Sequence, residues 1–290
     1  MIDLEKIKAK KSIKELLEFG IIVINKPAEW TSFDVSNYVC RSLHLKKTSH
    51  FGTLDPMVTG VLPVSLGRAT KLTGFFLGED KEYEGIMHMH EEVSLEDINK
   101  VIKEKFIGKI IQLPPVRSSV KRQEREREIK KFELLEKNGK DVKFLVECQG
   151  GTYVRKLVHD LGEQMNIGAH MIGLKRMRAG IFTEKDMTKK EDFEKAIEEY
   201  KNGNDKNLKK LIIPAEIVSN IYEPIQLKKE YAEKVLHGAP IMKDMVENKK
   251  KFEKNKIISI FKEDQFIGMF KVVNEGRTFA LPMFVLQPIR

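Results

Sequence analysis

An α+β chain in two parts is what the sequence predicts, on three observations. Two-residue alternation and helix-spaced apolar stripes occupy separate stretches along the 290 residues. An Asn138-Gly139 pair lies between two apolar-rich runs, the signature of a hairpin. The composition turns charged and breaker-rich from Thr188 to Asn207, and the remainder is patterned in short β-rich segments. With 41% hydrophobic residues the chain can bury a sizeable core. The main domain is therefore placed at residues 1–210, with an N-terminal extension at 1–18, and a smaller module at 211–290.

A net charge of +9 favours an anionic partner, nucleic acid or membrane surface. No apolar run reaches bilayer length and the N-terminus lacks a signal-peptide apolar core, so a cytoplasmic protein without a membrane partner is expected. Cys40 and Cys148 lie far apart with no CxxC pairing and read as reduced thiols.

In chain order, residues 4–18 show a Lys-rich helical pattern suited to a surface helix. GIIVINKP is a short strand ended by Pro27, and Thr31 or Ser32 can cap a helix to about Leu45, with Val35, Tyr38, Val39 and Leu43 on one face. Lys81 to His90 alternates as a strand, with Tyr83, Gly85, Met87 and Met89 on one face and His88 and His90 on the other. Two His at i and i+2 resemble half a metal site, but no cluster of Cys, Asp or His in the sequence completes it, so no metal is expected. SLEDINKVIKEKF reads as a Ser-capped scaffold helix. Lys121 to Lys131 carries six basic and three acidic residues, the composition of a solvated face or of a weak phosphate tracker. After the hairpin, Thr152 is expected to cap a helix with Val154, Leu157, Val158, Leu161 and Met165 on its core face and Arg155 off it. GAHMIGLKRMRAGIF alternates again, with Ile172 and Leu174 leading to Arg176 and Arg178. A charged helix follows, and then a short helix stopped by Gly238 and two strands from KIISIFKEDQFIGMFKVV.

The stretch HFGTLDPMVTGVLPVSLGRATK, from His50 to Lys71, stands apart. Between Val35 and Gly78 Asp55 is the only carboxylate, set among Arg41, Lys46, Lys47, Arg68 and Lys71. Gly52, Gly60 and Gly67 permit close approach and Pro56 biases Asp55 away from helical geometry, so a shaped loop presents one acid from a basic wall. Asp-Pro also occurs as an ordinary turn or helix start, and both readings stand at this point.

GTLDPMVTGVLPVSLGRATK resembles the catalytic motif of the TruB and dyskerin branch of pseudouridine synthases, whose essential residue is the motif's Asp. GGTYVRKLVHDLG is similar to the family's GTYIRxLxxDLG, KEY at Lys81 to Tyr83 to its KxY, and PPVRSSVKR to the form found in its archaeal and eukaryotic H/ACA branch. The opening motif keeps Lys26 and Pro27 but departs after them at Ala28 and Glu29. HGAPIM resembles the start of a PUA RNA-binding domain, without the Pro-Gly that usually follows.

The resemblance implies a pseudouridine synthase fold, a central mixed, mainly antiparallel sheet flanked by helices, with a small β-rich PUA-like domain. It makes Asp55 catalytic, with Tyr83 packing on the target base and Arg155 orienting Asp55 bidentately. Tyr83 would also assist proton removal at C5. Without the resemblance, Tyr83 reads as a core aromatic and Arg155 as a surface Arg. Lys26, His50 and Leu174 would hold the flipped nucleotide; Lys121, Arg122, His237 and Gly238 would contact RNA. No cofactor is expected. The implied function is isomerisation of rRNA uridines selected by a box H/ACA guide RNA, with guide RNA, rRNA and accessory proteins as partners. A stand-alone synthase acting on the tRNA T-loop and a non-catalytic RNA-binding scaffold remain as alternatives.

Overall fold

A computed structural model describes residues 2–114, 121–247 and 251–287. Its first sheet comprises β1 (Phe19–Lys26), β2 (Thr48–His50), β3 (Thr59–Gly67), β4 (Lys81–Met89), β5 (Gly108–Gln112), β6 (Arg125–Asn138), β7 (Asp141–Cys148), β8 (Ala169–Ala179), β9 (Phe182–Thr183) and β10 (Ile212–Pro214). The order is β10-β1-β3-β8-β4-β7-β6-β5, with β2 beside β3 and β9 beside β8. All these pairs are antiparallel except β3 with β8, which run parallel through only two residue pairs, Thr59 with Lys175 and Gly60 with Arg176. Two antiparallel halves thus meet at one short parallel seam.

Helices line one face of each half. α1 (Leu4–Lys10), α2 (Ile13–Glu18), α3 (Ser32–Ser42), α7 (Lys190–Lys201) and α8 (Lys206–Leu211) belong to the β1 side, although α4 (Thr73–Leu77), α5 (Leu95–Lys105) and α6 (Val154–Gln164) intervene in the chain. Leu16 of α2, Val35 and Val39 of α3 and Phe193 of α7 pack on Ile22, Ile24, Leu62 and Val64. On the other half, Ile98 and Ile102 of α5 and Leu157, Val158 and Leu161 of α6 pack on Met87, Phe132, Phe144 and Val146. β1 is buried on both faces because a second sheet covers its back. That sheet holds β11 (Pro224–Gln226), β12 (Ile241–Met242), β13 (Ile257–Lys262), β14 (Gln265–Glu275) and β15 (Thr278–Val285), with α9 (Ala232–Leu236) against it. Phe19 stacks on Phe266 at 5.4 Å between ring centroids, and Ile21, Val23 and Val61 join Phe261 and Met269 in the same cluster.

The expected periodicities appear where local chemistry enforces them. β4 alternates strictly, with Tyr83, Gly85, Met87 and Met89 inward. The hairpin closes at the Asn138–Asp141 pair and turns through Gly139, at φ 57°, and Lys140. Thr31 caps α3 in a reciprocal box with Asp34, and the helix ends at Ser42, short of Leu45.

Three expectations are corrected. The single helix over residues 4–18 is two, because Ser12 forms its own capping box with Glu15 and Lys11 takes an extended conformation. Leu16 and Leu17 are buried, so this segment is more than a surface helix; Lys10 and Lys11 also pair with Asp264 and Glu216. The boundary expected after residue 210 falls inside α8, and β10 still pairs with β1, so the chain changes sheets between Pro214 and Pro224. Thr152 does not cap α6: its hydroxyl donates to the Gln149 carbonyl, and Tyr153 occupies the cap position.

Phe266 is 2% exposed and touches both units. Phe266→Ala is expected to lower the unfolding free energy by about 3–5 kcal/mol, measured by urea denaturation. A loss within about 1 kcal/mol would show that this contact does not hold the two sheets together.

Candidate active site

The loop between β2 and β3 carries Asp55 at the seam, and buried groups fix it from beneath. Leu54 and Val58 insert into the core on either side of Asp55. Ser32, the first residue of α3, accepts a hydrogen bond from the Leu54 N–H at 2.8 Å and donates to the Leu54 carbonyl at 3.3 Å. Lys26, 0% exposed, donates to the carbonyls of Pro27, Pro56 and Val58 at 2.7–2.8 Å. Arg176, 1% exposed, donates through Nε to Val61 O at 2.8 Å and through Nη2 to Gly52 O at 3.0 Å, gripping both ends of the loop. Gly60 has φ 103°, and a Cβ there would lie 2.2 Å from the Arg176 carbonyl oxygen, so only glycine lets the seam close. Pro56 and Met57 form a turn rather than a helix start.

Held this way, Asp55 projects outward and meets Arg155. Nη2 of Arg155 is 3.4 Å from Oδ2 of Asp55, with both side chains about half exposed. The contact is single and long, not the expected bidentate fork, because charge-assisted pairs close to about 2.7–2.9 Å only when geometry and desolvation allow. An exposed pair of this kind contributes about 0–1 kcal/mol to stability. Arg155 occupies the second position of α6, whose first turn contains no acid. A cation there opposes the helix dipole, and the Asp55 carboxylate offsets both positive ends. Gln112 fixes the helix start, accepting from Tyr153 N–H at 3.0 Å and donating to Tyr153 O at 3.2 Å.

Tyr83 lies directly across from Arg176 on the neighbouring strand and is 8% exposed. Burial raises its phenol pKa, while the charge and hydrogen bond of Arg176 oppose the rise and Asp55 adds to it. Its ring packs in the core cluster with Leu54, Val58 and Phe144. Leu174 sits opposite Gly85, half-buried beside the same core. His50, on β2, has Nε2 3.2 Å from Thr53 Oγ1, and burial and Arg176 push its pKa down, so the ring is neutral at neutral pH. Lys26 is placed differently from expectation: its ammonium is spent on three backbone carbonyls and acts on the loop, not on a nucleotide. Burial lowers its pKa, partly offset by Asp55.

Asp55, Tyr83, Arg155, Leu174, His50 and Lys26 are therefore gathered around one seam. Lys121 and Arg122 are exposed on the approach to β6, while residues 115–120, which hold most of the PPVRSSVKR motif, lie outside the described residues. His237 and Gly238 end α9 in the second unit, away from this cluster; His237 Nδ1 is 2.8 Å from Glu233 O and Gly238 has φ 92°. Arg176, Ser32 and Gln112 were not singled out in the sequence as site residues. Alternation from Ile172 would have put Arg176 on the Leu174 face, but a register shift against Ile86 and Met87 leaves Ile172 exposed while Leu174 and Arg176 turn inward.

Comparison with known proteins follows this geometry. Residues 41–154 match the N-terminal domain profile of the TruB family of pseudouridylate synthases, and residues 155–218 match the C-terminal domain profile of tRNA pseudouridylate synthase B. The chain is 43% identical over 233 residues to the probable tRNA pseudouridine synthase B of Methanocaldococcus jannaschii, spanning 80% of this chain and 69% of that one. This chain belongs to the TruB family. Its relative in Nanoarchaeum equitans, of the same name, is 40% identical over 230 residues, covering 79% and 66% of the two chains. Among solved structures, a chain of a Cbf5-Nop10-Gar1 complex superposes with a TM-score of 0.89 and 33% identity, over 97% of this chain and 89% of that one. A chain of an H/ACA ribonucleoprotein bound to a substrate RNA containing 2′-deoxyuridine gives 0.85 and 30% over the same shares. The TruB-family chain is thus an RNA pseudouridine synthase with the mixed, helix-flanked sheet the resemblance implied.

Two outcomes test buried cations: Arg176, beneath the Asp55 loop, and Lys81, whose side chain neighbours the same Gly52. Arg176→Met keeps an unbranched chain but frees both loop ends, and is expected to slow pseudouridine formation about 100-fold, the scale of an ångström misplacement, measured as single-turnover rate. Lys81, 3% exposed, donates to the carbonyls of Leu77 and Glu79, and burial pushes its pKa from 10.5 down to about 8. Because the unfolded chain then binds more protons between those values, the unfavourable contribution of this ammonium is complete below pH 8 and relieved as pH rises toward 10.5. The stability of the native protein relative to Lys81→Met should therefore increase across that window. A flat difference would refute the buried charge.

Proposed function

We propose that this chain isomerises rRNA uridines selected by a box H/ACA guide RNA, as the catalytic subunit of a ribonucleoprotein. The observation that carries this reading is the likeness to Cbf5, which extends over 97% of the chain, second sheet included. The Cbf5 chain was solved with Nop10 and Gar1, and accessory proteins of that kind are the expected partners. The names of the curated relatives support a second reading, a synthase that acts on tRNA without a guide.

In the reaction the C1′–N1 bond of uridine breaks, the uracil turns, and C1′ bonds to C5; C5 releases a proton and N1 gains one. The Asp55 carboxylate acts as nucleophile or base on the sugar or uracil, held at its working position by the loop beneath it. Arg155 sets the orientation of that carboxylate and adds positive potential at the helix start, the preorganised electrostatics that such transfers require. Tyr83 and Leu174 pack on the extruded base, whose removal from its stack costs a few kcal/mol. His50, as a neutral donor or acceptor, holds the nucleotide at the loop edge. Lys121 and Arg122 contact phosphates, and the second sheet serves as a PUA-like RNA contact through the exposed end of α9 at His237 and Gly238.

A reconstitution separates these readings. Purified protein mixed with tRNA or with a target RNA, with and without guide RNA and accessory proteins, should modify the target only when guided. Rapid guide-free modification of tRNA with indifference to guide RNA would establish the second reading. In the same assay Asp55→Asn should abolish product while leaving RNA affinity within about threefold, since one exposed carboxylate adds little to phosphate-dominated binding. Unchanged turnover in that variant would leave only a non-catalytic role for the loop.

A further inference from the structure

The open face of the β7-β4-β8 half-sheet carries a cluster the reaction does not use. His88 on β4 and His90, one residue past its end, lie on this face, and the fold supplies what the sequence did not show beside them. His88 is in direct register with His170 on β8 and with Asp141 on β7. The three rings are mutual neighbours: centroids are 5.3 Å apart for His88 and His170, 5.2 Å for His90 and His170, and 6.4 Å for His88 and His90. His90 Nε2 lies 3.0 Å from His170 Nδ1. His88 Nδ1 lies 2.6 Å from Asp141 Oδ1, which leaves its Nε2 free to turn toward the other two.

We propose that His88, His90 and His170 bind a borderline divalent metal ion, zinc in the first instance, with Asp141 orienting His88 from behind. Nitrogens bound at about 2.0–2.1 Å to a tetrahedral ion lie about 3.4 Å apart, with ring centroids about 5 Å apart. Two of the three separations already meet that spacing, and the third closes by rotation of half-exposed rings. No group of three ligands is preformed among the described residues, so the ion would gather the set in place of the His90–His170 hydrogen bond. Imidazoles suit zinc, nickel and copper rather than magnesium or calcium. The carboxylate on His88 Nδ1 fixes the tautomer and strengthens Nε2 as a ligand, the usual outer partner of a metal-bound imidazole. Gly168 keeps His90 aligned: a Cβ there would lie 2.5 Å from His90 Nδ1. The ion would staple β4 to β8, the strands that carry Tyr83, Leu174 and Arg176, and the proposal does not depend on whether modification is guided.

The test is titration of tag-free, chelator-treated full chain with zinc by calorimetry, with cobalt absorption reporting the coordination geometry. One equivalent should bind at micromolar affinity or tighter, cobalt should show an intense tetrahedral spectrum, and the melting temperature should rise with the ion. His88→Gln and His170→Gln should each weaken binding at least about 100-fold, and Asp141→Asn, which leaves all three ligands, about 10-fold or more. All three side chains lie at the surface, so the variants should melt like the native protein without metal. Absence of zinc binding, equal affinity in the His88 and His170 variants, or an octahedral cobalt spectrum would each overturn the site.

Discussion

The rest of the structure depends on two cations buried beneath the loop that carries Asp55 and capped by backbone carbonyls. Removing an ammonium or guanidinium from water is costly unless its donors are met. Lys26 and Arg176 meet that condition by binding carbonyls of residues 27, 52, 56, 58 and 61. The exchange shapes the loop, since peptide oxygens that would otherwise lack partners in the interior are ordered around fixed charges. Asp55 can then stay outside with its carboxylate aimed at Arg155, and little has to reorganise when a nucleotide arrives. Arg176 also sits beside Tyr83 and His50, so one buried charge influences both the loop and the groups around it.

The sheet explains why these groups meet where they do. Each half is an ordinary antiparallel array with its own helices and its own core. The loop before β3 and the strand β8 come together only at the parallel seam, which brings residue 55 and residue 176 to one place. α6 then enters from the far half with Arg155 at its start. The site is therefore assembled from three separate parts of the chain, with no single element able to form it alone.

Much of this was legible in the sequence because it follows local rules. β4, the hairpin at Asn138-Gly139 and the inward face of α6 follow their periodicity, and the contiguous loop motif with the Arg155 motif picked out a pair the fold brings into contact. What escaped detection lies in side chains acting across sequence distance. Arg176 grips residues 115 and 124 positions away, and Gln112 reaches 41 positions to hold the start of α6. Lys26 was visible as a motif residue, but its burial, and hence its action on backbone, comes only from the packing of the loop over β1. At residues 11–12 and 152, local competition among capping groups decided the outcome within one or two positions. The histidines of β4 lacked partners in the sequence because register, not spacing, sets His170 beside them.

The seam has a mechanical side. With two residue pairs between its halves, the large sheet has a line along which ladder hydrogen bonds bear almost no load. Resistance to separation there rests on side chains: the Arg176 guanidinium, which bonds across to Gly52 and Val61, and the core in which Phe51 and Val61 pack with Ala179 and Phe182. A force pulling the halves apart would meet its least opposition at that line. The first casualty of such tension would be the shape of the loop that carries Asp55, well before either core gave way.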